Sequence, residues 1–205
     1  MKHLPLLALL VCTFACEGEK KSEVKPTPAD PGAKSKTPAP VEPEAKKPPP
    51  PPKSKTTEFV SKDHKFSVMS ERPPRTAPVK TPTGAVTTKY TFNAVGAKGA
   101  VMILVAAIPG GDKASRKKAL EDAAANLVKK YNGKTSSDKE IKLGEHAGRE
   151  VAFTATHPQM GKMAGRSKMI MRDADLYQVM WIGSPDASSL IAEGNALLDS
   201  FKFTD

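Results

Sequence analysis

The chain has 205 residues, a formal net charge of +10, 19 prolines and 11 aromatic residues, which leaves room for one ordinary domain with extensions and hardly for two. Ten of the aromatics lie at or after Phe59 and eleven of the prolines between Pro26 and Pro52, so the pattern is a tail plus a core and not one compact 205-residue enzyme. The charge divides into +4 for residues 1–57 and +6 for 58–205, with no basic stripe interleaved with aromatics, so nucleic acid is excluded as a partner.

Residues 1–15 read as a signal peptide. Met1-Lys2-His3 is a short positive start, and residues 4–14 form an apolar run too short to span a bilayer. The run closes on Thr13-Phe14-Ala15-Cys16, which resembles the bacterial lipoprotein signal, with a small residue before the cut and a cysteine after it. The resemblance implies that the Cys16 thiol carries diacylglycerol and that Cys16 becomes the new N-terminus. Thr13 stands where that family usually has leucine, and Cys12 after Val11 is a competing acceptor. The abrupt change at Cys16 to Glu17-Gly18-Glu19-Lys20-Lys21 argues against a plain secretory signal. Glu17 is not the aspartate that resembles an inner-membrane retention signal, so the expected location is the outer membrane of the cell envelope. Both cysteines fall in this segment, which excludes a disulfide scaffold, a Cys-rich zinc site and a cysteine nucleophile further on.

Residues 16–57 read as the acylated cysteine followed by a tether. Val24 and Val41 are its only large aliphatic residues and it has no aromatic, so it cannot bury enough apolar surface to offset its ordering entropy. Its prolines, above all the run from Pro48 to Pro52, favour polyproline II. At roughly 3.1 Å per residue a fully extended tether reaches about 130 Å. A Pro-rich ligand and a Lys-rich strip for anionic envelope polymers are the functional alternatives to a plain spacer.

Residues 58–205 read as one domain. Short strands are expected at 58–61 and 65–69, and a Pro-rich loop at 71–82. Residues 86–93 alternate Val86, Thr88, Tyr90 and Phe92 with polar neighbours, a half-buried strand. The apolar run 101–108 reads as a central strand covered on both faces. After Gly110-Gly111-Asp112 comes a helix with Leu120, Ala123, Ala124, Leu127, Val128 and Tyr131 on one side and Gly133 as its C-terminal cap. Strands are expected near 139–143, 149–156, 166–172 and 176–182. A last helix opens on Ser184 as cap and Pro185 as first residue, with Leu190, Ile191, Leu197, Leu198 and Phe201 inward. The fold class is α+β, an antiparallel sheet flanked by two helices.

Phe66-Ser67-Val68, Gly148-Arg149-Glu150, Leu176-Tyr177 and the closing Leu198-Asp199-Ser200-Phe201-Lys202-Phe203 are similar to PsbP-like domains. The resemblance implies an α/β/α sandwich acting as a non-catalytic accessory or binding module. It brings no catalytic residues, and the proline expected soon after the first core strand comes late, as Pro73-Pro74.

Motifs for catalysis are missing. There is no Gly-x-Ser-x-Gly elbow, His-Glu-x-x-His helix or Walker loop, and Gly110-Gly111-Asp112 lacks the Gly-Lys-Ser/Thr ending of a phosphate cradle. His64, His146 and His157 offer no metal or triad spacing. The protein is therefore expected to be non-enzymatic and to need no cofactor.

Two constellations remain. His157, Met160 and Met163 recur every three residues across a hairpin, and imidazole with thioether suits Cu(I), so a soft-metal or small-ligand binding lipoprotein is the alternative function. If 149–156 and 165–172 form one hairpin, Arg149, Arg166, Lys168 and Arg172 share a face, with Arg149 opposite Arg172 in the simplest register. Such a face would dock a polyanion or an acidic envelope protein. The leading expectation is a membrane-anchored envelope lipoprotein that binds or scaffolds another component.

Overall fold

The computed structural model describes residues 56–80, 86–108 and 112–205. Its elements are β1 (Thr57–Ser61), β2 (Phe66–Ser70), β3 (Arg75–Lys80), β4 (Val86–Ala94), β5 (Gly99–Ala107), α1 (Lys113–Lys130) and β6 (Lys134–Leu143). They continue as β7 (His146–His157), β8 (Gly161–Arg172), β9 (Asp175–Gly183), α2 (Ser188–Ser200) and β10 (Lys202–Phe203). Seven strands make one sheet in the order β3-β4-β5-β9-β8-β7-β6, with every neighbouring pair antiparallel. A second antiparallel sheet has the order β1-β2-β10.

The run beginning at Gly99 is buried on both faces, as its composition predicts. Val101, Ile103 and Val105 of β5 join Tyr177, Val179 and Trp181 of β9 in a core with α2 and the smaller sheet. Ala100 and Met102 join Met180 and Ile182 in a second core under α1. Period-two alternation thus feeds two cores from one pair of strands. The layers are α1, the seven-stranded sheet, and a third layer that α2 shares with β1-β2-β10. That second sheet is absent from the expected architecture.

Several boundaries differ from the sequence reading. Residues 75–80 form β3, not loop, because an edge strand tolerates Pro78 and buries little. β6 starts at Lys134, ahead of the expected strand. The left-handed residue ending α1 is Asn132, with φ 49°, and not Gly133. Asn132 and Gly133 donate to the carbonyls of Lys129 and Val128, a Schellman closure, while a Cβ on Gly133 would meet the Thr154 carbonyl at 2.8 Å. Gly133 is there for close approach. Ser184 and Pro185 lie in a turn before α2: the Ala187 N–H donates to the Ser184 carbonyl, and Ala187 is the N-cap without a side-chain bond.

Candidate functional site

The β7–β8 register decides where the four predicted cations go. Gly148 lies opposite Ile170, Arg149 opposite Met169 and Glu150 opposite Lys168. Opposed residues of an antiparallel pair project to one face. Arg149 therefore points with Met169 to the α1 side, while Arg166, Lys168 and Arg172 point to the α2 side. The expected shared face of four, with Arg149 opposite Arg172, does not form.

On the α2 side the three cations bolt layers together. Arg166 donates from Nε and Nη2 to Glu150 at 3.1 and 3.3 Å, and from Nη1 to Asn195 Oδ1 at 3.0 Å. The same Asn195 oxygen accepts from Trp181 Nε1 at 3.0 Å. Lys168 Nζ reaches the Leu198 carbonyl at 3.0 Å and Asp199 at 3.2 Å. Arg172 Nη1 donates to the carbonyls of Lys65 and Thr204, both at 3.0 Å, and its guanidinium lies 4.9 Å from the Phe203 ring centre. Acceptors surround each of these half-buried charges, and deleting one partner costs more than the pair contributes. Their positive charge is largely answered within the domain.

On the α1 side Arg149 forms a two-bond fork with Asp138 at 2.7 and 2.9 Å, with Glu121 of α1 at 3.9 Å. The Asp138 hydrogen bond holds the Arg149 guanidinium above its ordinary pKa. Beside it Lys117 of α1 pairs with Glu140 of β6 at 2.9 Å. These contacts clamp α1 to the β6–β7 edge.

The hairpin residues take different roles. His157 lies opposite Gly161 at the turn, and its Nδ1 accepts the Gln159 N–H at 3.2 Å. Met163, opposite Ala155, is 3% exposed and belongs to the core under α1, and Met160 packs against that core from the turn. Met102, Met169, Met171 and Met180 line the same core, where flexible thioethers fill irregular space. No group of three His, Cys, Asp or Glu side chains positioned for a metal occurs among the described residues. Cys16 lies outside them. No described helix is long and apolar enough to cross a membrane.

Exposed carboxylates carry the pH response. The Lys117 hydrogen bond draws Glu140 below the usual range, the Ser115 backbone N–H does so for Asp112 at the α1 N-cap, and Lys202 does so for Glu58. A depressed folded pKa contributes stability above the unfolded value, about 4, which is lost as pH falls through the folded value. Urea midpoints are therefore expected to hold from neutral pH to about pH 5 and then decline. Asp112→Asn keeps an N-cap acceptor but cannot titrate, so its decline should be shallower. An identical acid profile for the variant would contradict this.

No family model and no curated protein matches the sequence. Among solved structures, cyanobacterial PsbP (CyanoP) from Synechocystis sp. PCC 6803 superposes with a TM-score of 0.55 over 78% of this chain and 98% of its own, at 7% identity. The fold is PsbP-like. A protein of unknown function from Pseudomonas aeruginosa matches with a TM-score of 0.43 and 11% identity, over 70% of this chain and 92% of its own. At such identities the likeness concerns the backbone alone.

Proposed function

We propose that the chain is a lipid-anchored, non-enzymatic protein of the bacterial cell envelope whose PsbP-like domain binds or scaffolds another envelope component. The observation that carries this reading is the apolar run of residues 4–14 closing on Ala15-Cys16 and giving way at once to charged residues. Acyl chains contribute about 0.8 kcal/mol per buried methylene, so two or more hold a protein at a membrane almost permanently. The Pro-rich tether supports the same reading by giving an anchored domain reach.

Cells fed a labelled fatty acid should yield labelled protein that partitions with membranes. Cys16→Ala should lose the label, and label surviving that change would overturn the anchor. Cross-linking in living cells on the anchored protein should then capture one dominant envelope protein. A spread of unrelated proteins would count against the scaffolding role.

A further inference from the structure

Strand register sorts the connections of the seven-stranded sheet between two ends. β4 ends and β5 begins at one of them, where Gly99 lies opposite Gly183 and where the β7–β8 turn also sits. Lys98 precedes β5 there and Lys162 follows the turn. Lys134 opens β6 opposite Thr154, close to the same end, directly after Lys129 and Lys130 close α1. All five lysines are exposed. Lys130 lies 5.5 Å from the Tyr131 ring centre, and the other four make no ion pair with a described residue.

Two carboxylates belong to the α2 side: Asp186 in the turn before α2, and Glu193, which accepts from Asn93. The opposite end differs, because Asp112, Glu145, Asp173 and Asp175 stand among its lysines. Lys129 and Lys130 also complement the negative end of the α1 dipole. Lys98, Lys134 and Lys162 have no such role. Among them Val95 is 42% exposed beside Lys98. Lysines around an exposed apolar side chain match an interface of anionic headgroups over acyl chains.

We infer that this end of the domain docks on anionic phospholipid, so that the domain folds back onto the membrane holding Cys16. The inference rests on the anchored reading.

The test uses the acylated full-length protein in vesicles of phosphatidylcholine alone or mixed with phosphatidylglycerol, read by amide hydrogen exchange. Exchange in 95–98, 131–134 and 158–162 should slow only on the anionic vesicles. The slowing should fade as salt shortens the Debye length below its value of about 8 Å at physiological strength. The combined variant Lys98→Glu, Lys134→Glu, Lys162→Glu should still float with the vesicles while losing the protection. Equal exchange on the two vesicles overturns the inference. So does protection that survives the triple reversal, or protection on neutral vesicles brought about by a soluble acidic protein. Failure of the anchor would instead show as protein that does not float.

Discussion

Replacing Phe66 by alanine should lower the unfolding free energy by about 3–5 kcal/mol, seen as a large fall in urea midpoint with little change in slope. Phe66 is fully buried on β2 where the smaller sheet meets the larger one. Its ring meets Tyr90 edge-on at 5.2 Å, stacks with Phe201 at 5.5 Å, and lies 6.1 Å from Phe59 and 6.4 Å from Tyr177. Those neighbours cannot collapse into the vacated space cheaply. Tyr90 is tied through its hydroxyl to Ser61 at 2.9 Å, and Tyr177 donates to the His64 carbonyl at 3.0 Å. Burial raises the pKa of both phenols. Phe203→Ala removes a ring that is only partly buried and should cost less. Equal losses for the two variants would mean that Phe66 is not the centre of the cluster.

The elements that bury much apolar surface were readable from sequence, and those that bury little were not. The alternation around Tyr90 and Phe92, the run through Val101 to Val105, and the inward faces of α1 and α2 all match their expected positions. β3 and β10 left no such mark. β3 is an exposed edge carrying Pro78, and β10 is two residues long and exists only because Lys202 and Phe203 meet Ser67 and Phe66. Local polar signals misled at both helices, since Ser184 and Gly133 have the right chemistry for caps but serve a turn and a close backbone approach.

The largest error concerned register. Setting Arg149 opposite Arg172 is three residues away from the observed pairing with Met169, and an odd slip moves a side chain to the other face. A usable signal was present. Opposite charges favour direct cross-strand pairing, and placing Glu150 across from Lys168 selects the observed register over one that opposes two arginines. Asn195 and Asp199, which complete that network from α2, lie too far along the chain for spacing to reveal. The Cys16 reading is of another kind, because it depends on a short linear signal and on no tertiary contact.

Gly194→Ala should destabilise the domain by about 1–3 kcal/mol, although alanine is normally the better helix former by about 1 kcal/mol. Gly194 is buried on α2 against β9, and a Cβ built on it meets Trp181 Cβ, Cγ and Cδ1, each at 2.5 Å. Turning the indole cannot solve this, because the Trp181 Cβ is fixed by the β9 backbone. The helix must lift instead. Lifting lengthens the hydrogen bonds that Asn195 accepts from Trp181 and Arg166, and it loosens Lys168 from the Leu198 carbonyl. Trp181 is the one tryptophan of the chain, so its emission reports the event directly. The variant's emission should shift to the red under native conditions as water reaches the indole, with the urea midpoint falling alongside it. Unchanged emission with a raised midpoint would show that helix propensity outweighs the contact and that α2 is seated on β9 less tightly than the ring of polar bonds around Asn195 requires.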